Sequence, residues 1–219
     1  MKEKAYHETL DRKNEIKLKK RLEKLPEFCK IFFIGIEPTT ASRTRLAYAY
    51  DLGCFFEYMH ENNPICKKME IRDFPLSILE QLTPTDIEEY LYYLKYYEKD
   101  GVEHHNEERG VKRKLASLRT FYRYFYKKEL IKEDPVIKVD MPKLHDKTIT
   151  RLDIDEVAML LDEVESGGSL TERQKKFHDK TRVRDLALMT LLLGTGIRVS
   201  ECVGLDMDDV DFKNNGIKV

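Results

Sequence analysis

Seven cations and no acid lie between Val111 and Lys128: Lys112, Arg113, Lys114, Arg119, Arg123, Lys127 and Lys128. Val111, Leu115, Leu118, Tyr122, Phe125 and Tyr126 fall in one narrow arc at 100° per residue, which predicts an amphipathic helix over Val111–Glu129. Lys112, Arg119, Arg123 and Lys127 flank that apolar stripe. A helix that buries one side and shows cations beside it is laid out to offer charge to phosphates. The same run also reads as an ordinary solvated face, but like charges at i,i+4 repel one another unless something uses them. Arg113 and Lys114 on this helix, and Arg43 and Arg45 earlier in the chain, complete the candidate nucleic-acid contacts.

A second constellation runs from Gly194 to Leu205. An apolar helix ends at Gly194-Thr195-Gly196, and Arg198 stands where the next short helix begins, with Glu201 three residues on. A cation at a helix start opposes the helix dipole unless an anion binds there. A helix N-terminus beside a planar guanidinium makes a phosphate site. A plain Arg198–Glu201 surface pair is the competing reading and is equally consistent with the spacing.

The elements that must position these residues divide the chain by texture. Thr40, Ser42 and Thr44 offer caps for an amphipathic helix over Ser42–Glu61, closed by Asn62-Asn63-Pro64. Pro84 suits the first turn of a second helix whose apolar residues Ile87, Tyr90, Leu91 and Leu94 recur at helical spacing, ending near Lys99-Asp100-Gly101. Val102–Gly110 has no period and is expected as a loop. Residues 132–150, with Pro135 and Pro142, are expected as an extended linker. Beyond it, a helix from Asp153 or Asp155 to Val164 is broken by Ser166-Gly167-Gly168-Ser169. His178 and Asp179 are expected in a polar loop. Arg184–Leu193 is apolar all round and is expected as a buried helix. Asn214-Asn215-Gly216 between Val210–Phe212 and Ile217–Val219 predicts a hairpin. The organisation expected is a charged helix or arm at 1–24, a helical domain at 25–135, a linker at 136–150 and a second domain from 151.

Composition excludes several classes. Among 219 residues, 39 Lys and Arg stand against 40 Asp and Glu for a net charge of −1. With 41% hydrophobic residues and only 10 Gly and 7 Pro, the chain is neither collagen-like nor Pro/Gly-rich and disordered. Near-neutrality averages the cationic helix against acids at 129–165 and 201–211. Cys29, Cys54, Cys66 and Cys202 form no CxxC pair and no zinc spacing, so no metal and no cofactor is expected. The first 24 residues hold nine basic and five acidic residues with no apolar core for a signal peptide. A cytoplasmic location is expected.

The stretch Arg184–Glu201, ending Gly194-Thr195-Gly196-Ile197-Arg198-Val199-Ser200-Glu201 and followed by Gly204-Leu205-Asp206, resembles the first catalytic box of the tyrosine recombinases, the phage-integrase-type family. Ala49-Tyr50-Asp51-Leu52, the Leu82-Thr83-Pro84-Thr85-Asp86 helix start and Lys112–Phe125 resemble that family's core-binding domain. The resemblance spans residues 25–219. It implies a mainly α chain: an all-α SAM-like helical bundle followed by the first, mostly helical part of an α+β catalytic domain that ends as a small β-sheet begins. It also implies a clamp around double-stranded DNA, with Arg198 on the scissile phosphate and Glu201 supporting it; no membrane role is expected, because the longest apolar runs, Ile31–Ile36 and Leu186–Leu193, are too short to span a bilayer. Self-association in a synaptic tetramer is expected of the full-length family. The family's later lysine, His-x-x-Arg pair and nucleophilic tyrosine find no counterpart here, so this chain is expected to bind DNA without cleaving it. A naturally truncated DNA-binding regulator and a helical protein-interaction module are the alternatives.

Overall fold

A computed structural model describes residues 6–99, 101–145 and 150–218. The fold is mainly α, with two small antiparallel hairpins among the described residues. It divides into two compact units: Glu8–Asp146, and the described residues from 150 onward together with Tyr6 and His7. Residues 1–5 of the expected N-terminal arm, 146–149 of the expected linker, Asp100 and Val219 lie outside the described residues.

The helical unit contains α1 (Tyr6–Leu22), α2 (Cys29–Ile36), α3 (Ser42–Asn62), α4 (Pro84–Tyr93), β1 (Tyr96–Lys99), β2 (Val102–His105) and α5 (Glu108–Lys127). Its core is aromatic. Phe121 on α5 has its ring centre 5.0 Å from those of Phe32 and Phe125 and 6.1 Å from that of Phe56, and all four are fully buried. The apolar arc read from the sequence is the face that α5 turns inward, with Leu115, Leu118, Tyr122 and Phe125 at most 1% exposed. Tyr126 is the exception at 51% exposed, so the buried stripe stops at Phe125. Thr83 and Asp86 fix the start of α4: the Thr83 amide donates to Asp86 Oδ2 at 2.7 Å, and Thr83 Oγ1 accepts from the Asp86 amide at 3.3 Å.

Several local expectations are corrected. The helix from Pro84 stops at Tyr93, and Tyr96–His105 form a hairpin, paired Tyr96↔His105 to Lys99↔Val102, in place of a helix end and a loop. Gly101 turns it at φ 72°, a conformation that suits glycine. Tyr97 stacks on His104 across the strands and on Tyr93 of α4, anchoring the hairpin to the bundle. Residues 135–139 are no free linker: Pro135–Lys138 form a helical turn whose Val136, with Val139 after it, is buried against the unit's core.

In the second unit α6 (Ile154–Ser166) ends at Gly167 in the left-handed region, and α7 (Glu172–Thr195) and α8 (Val199–Val203) follow. His178 and Asp179 lie inside α7 rather than in a loop, and the His178 ring lies 2.8 Å from the Val164 carbonyl. The apolar end of α7 is not buried: Leu188 is 40% and Leu193 41% exposed, although α6 and α8 pack on this helix. Cys202 is the one buried apolar side chain of this unit among the described residues. β3 (Val210–Asp211) pairs with β4 (Gly216–Ile217), and the Asp211 carboxylate accepts the Lys213 and Asn214 amides to close the turn.

Candidate nucleic-acid interface and phosphate site

The cations singled out by sequence meet different fates. Arg45 is 8% exposed and lies 2.7 Å from Glu15, so it joins α3 to α1 and is not a surface contact. Arg119 is half-buried and donates to the Val139 carbonyl, which binds the 135–139 segment to α5. The burial of Arg45 corrects the expectation that it faces nucleic acid, whereas Arg119 is partly exposed. Arg113 donates to the buried Asp51 carboxylate at 2.6 Å, and Lys114 donates to Asn106 Oδ1 at 2.8 Å. Arg43, Arg123 and Lys127 are exposed, and Lys112 is half-buried.

Arg123 and Lys127 line an open cavity of about 470 Å³ with Tyr126, Lys132, Asp134 and Lys138. The cavity exists because the 135–138 turn folds back over the C-terminal end of α5. Burial pushes the Asp134 carboxyl above its usual range, while the Val136 and Ile137 amides and the Arg123 and Arg119 charges pull it down. Lys132 and Lys138 were missed in the sequence. Their spacing about Pro135 signals a turn, but only the fold brings them beside Arg123 and Lys127.

The glycine turn before Arg198 has a mechanical cause. Thr195 Oγ1 donates to the Leu191 carbonyl at 2.6 Å, and Gly196 takes φ 68° to end α7, so the chain reverses and Arg198 caps α8. The Arg198 amide donates to Glu201 Oε2 at 2.7 Å and its guanidinium to Oε1 at 2.8 Å. Those two bonds, the amide's first, hold the Glu201 carboxyl below its usual value. The Arg198 side chain is 81% exposed, which leaves guanidinium donors open to a ligand while Glu201 fixes its base. The surface pair weighed for these residues is therefore present, and it leaves the guanidinium accessible.

Among the described residues no group of three or more His, Cys, Asp or Glu is placed to hold a metal, and no helix is long and apolar enough to cross a membrane.

Residues 150–219 match the Phage integrase family. The chain is 29% identical over 200 residues to the tyrosine recombinase XerC of Leptospira interrogans serogroup Icterohaemorrhagiae serovar copenhageni, covering 90% of this chain and 55% of that protein. It is 30% identical over 171 residues to the XerC of Caldanaerobacter subterraneus subsp. tengcongensis, covering 75% and 43%. With the tyrosine recombinase XerS of Streptococcus uberis it shares 29% over 210 residues, covering 81% and 58%. The chain spans about half the length of the curated relatives it matches. No solved structure matches it.

Proposed function

Because the chain belongs to the tyrosine recombinase family, we propose that it acts in site-specific recombination of double-stranded DNA, with Arg198 binding the scissile phosphate. The observation that carries this reading is the arginine itself. It opens a helix after a glycine turn, Glu201 holds its amide and one guanidinium nitrogen, and its side chain is 81% exposed. Phosphoryl transfer without a metal needs fixed cations on the non-bridging oxygens, and removing one such donor typically costs about 3 kcal/mol of transition-state stabilisation. Glu201 positions the arginine and keeps its guanidinium oriented. Arg43, Lys112, Arg123 and Lys127 supply backbone contacts from the helical unit, and Arg113 adds its exposed half.

The 219 residues by themselves bind duplex and do not cut it. All twelve tyrosines precede residue 127, so the segment that carries Arg198 holds no nucleophile of that type. Tyr90 and Tyr122 are fully buried, and burial pushes both phenols well above their ordinary value, the opposite of activation. Ile154, Phe177, Val183, Val199, Met207 and Phe212 are each more than 60% exposed, which supports residues 150–219 as the first part of a larger catalytic domain. The family's assembly on DNA as a tetramer, and its location in the cytoplasm, belong to the same proposal.

Incubation with a nicked duplex that traps covalent intermediates tests it. A shifted complex that dissociates fully in detergent is expected. An adduct that survives detergent contradicts the non-cleaving reading, and absence of any complex contradicts DNA binding.

A further inference from the structure

The charges of α1 are sorted by face. At 100° per residue Glu8, Asp11 and Glu15, all the acids of this helix, share the half-circumference that also carries Asn14, Leu18 and Leu22. Arg12, Lys13, Lys17, Lys19 and Lys20 occupy the other arc, all exposed, with Ile16 among them and Tyr6 on the same arc at the start of the helix.

Two of these three acids, Asp11 and Glu15, are committed to the bundle, while Glu8 is exposed near the helix start. Ser42 Oγ donates to Asp11 Oδ1 at 2.5 Å and accepts from Asn14 Nδ2 at 3.0 Å, and Glu15 meets Arg45 at 2.7 Å. Leu18 enters the core, and Arg21 lies over the Tyr50 ring at 5.1 Å. Gly53 lets Arg21 approach, since a Cβ there would collide with its guanidinium. Docking therefore engages Asp11 and Glu15 and turns five of the helix's cations outward.

We propose that this outward face is a duplex-DNA surface in its own right, gripping the phosphate backbone without reading sequence. The proposal rests on the duplex binding proposed above and adds α1 to it. Three observations select this partner. Lys13–Lys17 and Lys17–Lys20 set like charges at i,i+4 and i,i+3, an arrangement that a merely solvated face has no reason to keep. A protein partner needs an apolar or aromatic centre to its interface, and a lipid surface needs an apolar stripe to insert; Ile16 and Tyr6, about 15 Å apart along the helix axis, supply neither. A phosphate backbone needs only cations at reach. Arg12 to Lys20 span about 12 Å of helix axis, over which each strand of a duplex offers several phosphates.

The test uses the full chain, a labelled duplex of about 30 base pairs and a series of salt concentrations. The triple variant Lys13→Gln, Lys17→Gln, Lys20→Gln is expected to bind at least about tenfold more weakly at low salt and to lose roughly 2–3 from the slope of log affinity on log salt, about 0.9 per phosphate contact. Helix content and melting temperature should stay unchanged, and the corresponding Lys→Arg triple should restore wild-type binding. Unchanged slope and affinity in the Gln triple, with Arg123→Ala still weakening binding, would overturn the role of α1 and leave the duplex reading intact. No binding by the wild-type chain would overturn both. Competition by poly-glutamate as effective as competition by unlabelled duplex would also overturn it, in favour of an acidic protein partner.

Discussion

Arg113 Nη1 lies 2.6 Å from Asp51 Oδ2 across the contact between α3 and α5, and Ser117 Oγ donates to the same oxygen at 2.7 Å. The carboxylate is 2% exposed and the guanidinium 52%. One cation of the basic helix is thus half an internal counter-ion and half a surface charge. Asp51 anchors α5 on α3 while Arg123 and Lys127 of the same helix stay exposed.

Burial pushes the Asp51 carboxyl above its ordinary 3.8, against the Ser117 hydrogen bond and the Arg113 charge. A carboxyl raised by folding contributes stability that is fully present below 3.8 and is lost as pH rises through the raised value. The wild-type chain should therefore gain stability relative to Asp51→Asn as pH falls from 7 towards 4. Paired thermal melts across that range check it, and a constant difference contradicts it.

Phe121→Ala removes a fully buried ring that packs against Phe28, Phe32, Phe56 and Phe125. A loss of about 3–5 kcal/mol is expected, from lost burial plus the cavity left behind. Urea unfolding followed through the helical unit should show it as a lower midpoint at unchanged slope.

Arg45→Ala and Arg123→Ala should separate the two uses of arginine. Removing Arg45 leaves Glu15 without its partner and should cost about 1–2 kcal/mol, discounted for the partial exposure of the pair, with no change in the salt slope of DNA binding. Removing the exposed Arg123 should leave the melting temperature alone and lower the salt slope by about 0.9. Melts and duplex titrations on both variants decide the assignment.

Gly196→Ala meets no steric obstacle, since nothing lies within 4 Å of the added carbon, yet the backbone stands at φ 68°. The cost is then conformational alone, about 1 kcal/mol, and Gly196→Asn should cost less. Equal losses for the two variants would show that the turn, and the placement of Arg198 after it, do not depend on the left-handed conformation.

What the sequence made legible followed periodicity and local chemistry. α3, α5 and α6 announce themselves through apolar residues at helical spacing and polar breaks, and the Arg198 turn through two glycines. α2 escaped because Cys29–Ile36 is apolar on nearly every side and has no period. The β1–β2 hairpin escaped although Asp100-Gly101 is a turn signal, because Tyr93, Tyr96 and Tyr97 also continue a helical pattern. The site was legible in part for a different reason. Whether a lysine or arginine is free depends on an acid or carbonyl far away in sequence: Glu15 for Arg45, Asp51 for Arg113, Val139 for Arg119. No spacing within one helix reveals those partners, and the sorted charge of α1 gained meaning only when its docked side was known.

The central claim, that this chain holds duplex DNA through its phosphates, is tested most directly by fluorescence-anisotropy titration of a labelled duplex from about 50 to 200 mM salt. The expected result is saturable binding whose log affinity falls linearly with log salt, by about three decades or more if six or more phosphates are engaged. Binding indifferent to salt, or no saturable binding at the lowest salt, contradicts it.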